Sequence, residues 1–358
     1  MDTTLSHSPS PPAEANLSLE RSKCPVFVVG CHRSGTNLLY DTLLSAGGFA
    51  IYRGYLPVHK ILIPRVGSLN KLENREKALK LWIKSKGFRR SGLDAQKLTD
   101  MVLRHCRNGG DFIRITMDEI AKTQNAARWA VYDPDALLHM EHIKKDIPEA
   151  LFVHIIRDGR DIAVSLNKMG GFMPFFWSRK PASVQATAIY WEWTVRKGRA
   201  HGTQFPADYM EIHYEDLVRD PQCTLNALGQ FLDHRLDYGR IRQTSLGRVG
   251  ASNSSFREEP KEKLENPIGR WRNLLSPKEA STLESLIGSS LEEFGYRLTT
   301  SPEERKAALW SRLLHFSYPV FLSSKVWLRT RTPVGRFANL SALELESDTV
   351  VTQKSEPA

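Results

Sequence analysis

Four β-favouring residues, Val26–Val29, run into Gly30-Cys31-His32-Arg33-Ser34-Gly35 and then into a stretch with helical spacing. An unbroken apolar run of this kind fits a strand covered on both faces. Gly30 and Gly35 supply the permissive backbone positions of a tight loop. Leu39, Leu43 and Ala46 then recur at helical spacing, and Gly47-Gly48 is a plausible stop. Strand, tight loop and helix start together restrict the chain to α/β folds. They also aim backbone N–H groups at the point above the helix N-terminus, where phosphate is attracted.

The interval from Gly30 to Gly35 is that of a nucleotide P-loop. A Walker loop continues with Gly-Lys and Ser or Thr, the lysine serving the β/γ-phosphates and the hydroxyl serving magnesium. Here Gly35 is followed by Thr36-Asn37, and the cation stands earlier, at Arg33. Taken alone, the loop could be an incidental Gly-rich turn. A second strand-like run, Leu151–Ile156, ends in Arg157-Asp158-Gly159-Arg160-Asp161 and a helical stretch containing Ser165. Ligands of open α/β sheets bind beyond the carboxyl ends of the strands. A guanidinium and a hydroxyl meeting there suit a phosphate. The alternative makes Arg157 and Arg160 surface partners of Asp158 and Asp161.

Arg33-Ser34-Gly35-Thr36 and the Arg157-to-Ser165 spacing, in this order, resemble the two nucleotide motifs of the sulfotransferase family. The loop is most similar to the branch of tyrosylprotein sulfotransferases and their bacterial relatives, where Arg replaces the Lys of cytosolic enzymes. The resemblance implies a P-loop-NTPase-like three-layer αβα domain with a central parallel sheet. It extends over roughly Cys24 to Tyr296. Tyr214-Glu215-Asp216-Leu217, then Asp220-Pro221, lies where the family has a residue near the nucleotide. Gly269-Arg270-Trp271 resembles the segment that closes over the 3′-phosphate side.

What the resemblance implies is in-line transfer of a sulfuryl group from 3′-phosphoadenosine 5′-phosphosulfate (PAPS) to an acceptor hydroxyl or amine, without a metal. Arg33 would face the bridging oxygen, and the N–H groups of Ser34, Gly35, Thr36 and Asn37 would hold the 5′-phosphate. Arg157 and Ser165 would take the 3′-phosphate, with Tyr214, Arg270 and Trp271 beside the nucleotide. Candidates for the general base are His59, Asp133, Glu119 and His139. His59 lies where relatives place a carboxylate, and Asp133 equally suits the cap of a turn made with Pro134.

Three positions depart from the family. Leu38 stands where cytosolic relatives stack a tryptophan on adenine, which leaves Trp191 and Trp271 as stacking or core residues. Leu264-Glu265-Asn266 replaces Arg-Lys-Gly. Tyr132 replaces a lysine before Asp133-Pro134, and a phenol carries no charge at neutral pH. Either Arg33 then works alone or another basic residue reaches in. Two other readings stand beside the transferase: an ATP-dependent small-molecule kinase, and a non-catalytic protein that keeps the nucleotide pocket.

The formal charge of +10 points to anionic partners. Nucleic acid is the generic reading, but a phosphosulfate donor would suit the same field, so no nucleic acid is expected. The acceptor could be a glycan, including an anionic one, a lipid, a peptide or a small molecule. Basic residues crowd Lys60–Arg90, as a solvated helical face or as a landing surface for an acidic acceptor. Four scattered cysteines show neither disulfide nor zinc spacing. Residues 1–23 are Ser- and Pro-rich and read as a disordered tail without a signal peptide, which favours a cytoplasmic setting. A sulfotransferase domain over 24–299 is followed by a helical extension over 300–340 and a second disordered tail over 341–358. Within 307–331, apolar residues including Trp310, Leu313, Phe316 and Trp327 alternate with basic ones, and Pro319 interrupts them. They read either as a helix pair packed on the domain or as an interfacial segment giving peripheral contact with an anionic membrane.

Overall fold

The computed structural model describes residues 20–169, 182–244 and 267–345. The Leu264-Glu265-Asn266 departure and the ends 1–19 and 346–358 lie outside these residues. Five parallel strands form one sheet in the order β2-β3-β1-β4-β5: β1 Val26–Val29, β2 Phe49–Ala50, β3 Arg128–Tyr132, β4 Leu151–Ile156 and β5 Tyr209–His213. The architecture is the α/β class with a central parallel sheet that the resemblance implied. β1 and β4 are buried at every residue, which is why their sequences run apolar without alternation.

Side-chain alternation along β1 separates two cores. Phe27 and Val29 join one face, with Phe112, Met117 and Ile120 of helix Gly109–Thr123. Val26 and Val28 join the other, with Leu39 and Leu43 of the loop helix (Thr36–Ala46) and Leu225, Leu228 and Leu232 of helix Pro221–Leu232. A third core lies beyond the sheet's carboxyl edge. It joins Ile156 to helices Gly159–Met169, Val184–Gly202, Pro277–Glu293 and Leu309–Arg331. Because β1 has β3 on one side and β4 on the other, its end is a topological switch point where a crevice opens.

Local signals set the helix ends. The Ser276 and Glu279 side chains form a capping box, and Asp220 caps a helix that begins at Pro221. Three expectations need correction. Pro319 does not divide the C-terminal segment: Leu309–Arg331 is one helix. Arg21–Lys23, expected in a tail, form a 3-10 turn whose Arg21 bonds Asp208 at 3.1 Å. Ser341–Leu345, also expected in a tail, pack: Leu343 is buried, and Leu345 pairs with Ser85.

Candidate active site

The loop after β1 is shaped by its own backbone. Ser34 donates its N–H (3.1 Å) and its hydroxyl (2.7 Å) to the Cys31 carbonyl, closing a turn. Its N–H is therefore committed, contrary to expectation. That leaves Gly35, Thr36 and Asn37 to present the amides that a helix start does not satisfy internally. Arg33 (φ +74°) and Gly35 (φ +99°) both have left-handed backbone. At Gly35 a Cβ would land inside the Tyr214 ring, so the glycine is required twice over. Tyr214 begins helix Tyr214–Arg219 and forms the floor under the loop.

Arg157, at the end of β4, meets the same loop. Its guanidinium donates to the Arg33 carbonyl (3.4 Å) and the Pro267 carbonyl (2.5 Å), and lies 4.3 Å over the Tyr214 ring. Its buried Nε has no partner among the described residues. Arg33 Nε donates to Ser165 Oγ at 3.1 Å. Burial first, and the nearby Arg157 charge second, push the Arg33 guanidinium below its ordinary pKa. Two guanidiniums crowded beside exposed helix amides form a site for a polyanion.

The expected second motif also holds a distant segment in place. Asp161 accepts from the N–H of Gly269 (2.8 Å) and of Trp271 (2.9 Å), tying the 268–272 segment to helix Gly159–Met169. Asp161 also lies 3.7 Å from Arg157. The surface-partner reading holds for Arg160 in its pairing with Asp158 but not in its exposure. That side chain is buried, bonded to Asp158 and Glu284, with its guanidinium 4.0 Å over Trp271. Trp271 is itself buried, so it is core and not a face for adenine. Trp191 is core as well. It covers Gly159 and donates Nε1 to the Arg157 carbonyl at 3.0 Å. Arg270 precedes Trp271 at the N-cap of helix Trp271–Leu274.

Each of the expected bases is engaged within the fold. Glu119 is buried and paired with Lys97. His59 is packed against Gly109 and Ile63, with its Nε2 3.6 Å from Asp146. Its ring is stacked 6.2 Å from His139. His139 is buried, which pushes its imidazole well below the ordinary value, with the His59 charge acting in the same direction. Asp133 caps the turn Pro134–His139 by accepting from the Asp135 N–H at 3.0 Å. Burial, then the Asp135 charge, raise its carboxyl to about 7.

The acid–base group next to Arg33 is one that sequence reasoning did not single out. His32 Nε2 lies 3.5 Å from Asp135 Oδ1, and Lys60 Nζ pairs with the other oxygen of Asp135. Burial opposes the charge of Asp135, but His32 and Lys60 outweigh it and hold the carboxylate well below its usual range. Asp135 sits two residues after a carboxylate already read as a cap, so no local spacing marked it. Lys60 is the basic residue committed to this pair. Tyr132, at the position of the missing lysine, lies against the loop helix instead, with burial raising its phenol. A cleft of about 650 Å³ lined by Gly47, His234 and Arg240 lies at the other end of the loop helix, away from these groups.

A family model described as the sulfotransferase family matches residues 25–238. Protein-tyrosine sulfotransferase 1 of Danio rerio is 23% identical over 285 residues, spanning 77% of this chain and 73% of that protein. Among solved structures, the chain is similar to the sulfotransferase domain of the curacin biosynthetic pathway. That match has a TM-score of 0.52 at 18% identity and covers 77% of this chain and 100% of that one. The sulfotransferase domain of the Synechococcus PCC 7002 olefin synthase matches with a TM-score of 0.51 at 17% identity, covering 77% and 96%.

Proposed function

The chain belongs to the sulfotransferase family, and we propose that its sulfuryl donor is PAPS and that Arg33 and Arg157 are the residues that hold it. One observation carries the residue assignment. The Arg157 guanidinium donates to the carbonyl of Arg33 in the loop that leads into Gly35–Asn37, and its buried Nε has no partner among the described residues. A bisphosphorylated nucleotide would satisfy that nitrogen and offset the repulsion between the two cations.

The chemistry assigned to the chain is mainly positioning and charge stabilisation, by analogy with phosphoryl transfer. The Gly35, Thr36 and Asn37 amides and the Arg33 guanidinium would take the 5′-phosphate and the charge that grows on the bridging oxygen. Arg157 and Ser165 would take the 3′-phosphate, with the 268–272 segment, held by Asp161, covering it. Ser165 now bonds Arg33, so donor binding would exchange that bond for one to phosphate. We assign the general base to His32. With Asp135 receiving Nε2–H, the imidazole keeps Nδ1 as a proton acceptor. Asp133, set near 7 by burial, is the second candidate. The acceptor is a hydroxyl or amine, on a glycan, lipid, peptide or small molecule.

The test is calorimetric titration with 3′-phosphoadenosine 5′-phosphate, with ATP plus magnesium for comparison. Binding of the bisphosphate without metal is expected, weakened about tenfold to a hundredfold in Arg157→Ala, as loss of a charge-assisted contact predicts. Preference for ATP with magnesium would overturn the donor assignment.

A further inference from the structure

The C-terminal helix Leu309–Arg331 is fixed by one face only. Tyr318 and Leu322 are buried in the third core, Trp193 Nε1 donates to Ser323 Oγ at 2.9 Å, and His315 Nε2 meets Glu192 at 2.6 Å. The following turn is docked as well: Arg65 donates to the Ala338 carbonyl at 3.0 Å. The opposite face is apolar and open. Trp310 is 73% exposed, Phe316 74%, Val320 64% and Trp327 58%, and Phe337 just beyond is 84% exposed. At 3.6 residues per turn, Leu309, Leu313, Phe316, Val320 and Trp327 fall within an arc of about 60°. This inverts the usual surface helix, whose outward face is polar.

Charge says what covers it. From Arg305 to Leu343 there are seven Lys and Arg and no Asp or Glu. Arg312, Arg331 and Arg336 are exposed around the apolar arc. A second copy seated on the same face by two-fold symmetry would bring one set of these cations against the other, with no acidic side chain between Arg305 and Leu343 to pair with them. An anionic lipid surface attracts them instead. Trp310 and Trp327 stand near the two ends of the helix, and such amphipathic rings favour the headgroup level. No helix among the described residues is long and apolar enough to cross a bilayer.

We propose that this face is a membrane-docking surface: the C-terminal helix lies in the headgroup region of an anionic bilayer, with Trp310, Leu313, Phe316, Val320 and Trp327 in the acyl boundary. The basic residues reach to the headgroups, so attachment combines apolar burial with salt-sensitive attraction.

The test is sedimentation of the full chain with vesicles of phosphatidylcholine alone, or of equal parts phosphatidylcholine and phosphatidylglycerol. Binding to the anionic vesicles is expected, reduced by salt and by the triple change Arg312→Gln, Arg331→Gln and Arg336→Gln. The variant Trp310→Gln/Phe316→Gln/Trp327→Gln should lose at least about tenfold in partitioning. These residues are exposed, so its melting curve and nucleotide affinity should match those of the parent. Absence of binding at low salt, or equal binding of that variant, overturns the proposal. So does light scattering that shows a dimer which the variant dissolves, because then copies of the chain cover this face. Vesicle sedimentation and light scattering do not depend on the identity of the sulfuryl donor.

Discussion

Arg33 and Gly35 make the loop a strained object, and strain of this kind has measurable consequences. Gly35 at φ +99° leaves no room for a Cβ because of the Tyr214 ring beneath it. Gly35→Ala should therefore destabilise the chain by about 1–3 kcal/mol and weaken nucleotide binding, read by thermal melting and calorimetry. Removing the ring as well, with Tyr214→Ala, restores the space but not the backbone conformation, so only part of the loss should return. The base assignment is tested at the same scale. His32→Gln should abolish the acid limb of the kcat/KM pH profile while leaving nucleotide affinity intact. Asp135→Asn should lower kcat by loosening the imidazole, with nucleotide affinity unchanged. If the limb survives in His32→Gln and disappears in Asp133→Asn, the base is Asp133 and the His32 assignment falls.

Elements carry the next level of organisation, and Asp161 shows how. One buried carboxylate holds two backbone N–H groups of a distant segment and approaches Arg157. Asp161→Asn should lower bisphosphate affinity roughly tenfold, by freeing the 268–272 segment, yet change thermal stability little by comparison. Sequence reasoning found the strands and loops around this point because their signals are local. β1 and β4 are buried throughout and therefore read as unbroken apolar runs, and the helices after β5 announce their caps at Asp220 and Ser276. What it did not find depends on contacts across the chain. Asp161 was read only as a possible ion-pair partner of the preceding arginines. Lys60 was one cation among many until a turn of 3-10 structure brought Asp135 to it. Pro319 was read as a break, and it does remove one helical hydrogen bond. The helix continues because buried Tyr318 and Leu322, on either side of it, are anchored in the third core.

At the scale of the whole molecule, pH couples to folding through His154 in the middle of β4. The ring is fully buried. Tyr209 donates its hydroxyl to Glu211 at 2.7 Å, so it receives the His154 Nδ1–H, also at 2.7 Å. Nε2 is then the unprotonated nitrogen, and it has no partner among the described residues. It sits against a wall that includes Gly198, where a Cβ would come within 2.8 Å of the ring. A second proton would therefore enter an apolar pocket with no acceptor. Burial lowers the imidazole to about 4 from its ordinary 6.5, with the Glu211 charge opposing it in part and the Arg199 charge adding a smaller push. A depressed folded value means that the unfolded chain binds the proton more readily. Stability from this group is thus present above 6.5 and falls as the pH drops toward 4. Relative to pH 7.5, the loss at pH 5 should be about 2 kcal/mol. Asp133 and Glu215, both raised by burial, act in the opposite sense, since acid favours their neutral folded forms. The quantity to measure is therefore a difference: urea unfolding of the parent and of His154→Gln at both pH values. The parent should lose more stability than the variant on acidification, by about that amount. Parallel pH dependences in the two chains would mean that His154 accepts its proton without cost, and that the pocket around Nε2 admits water.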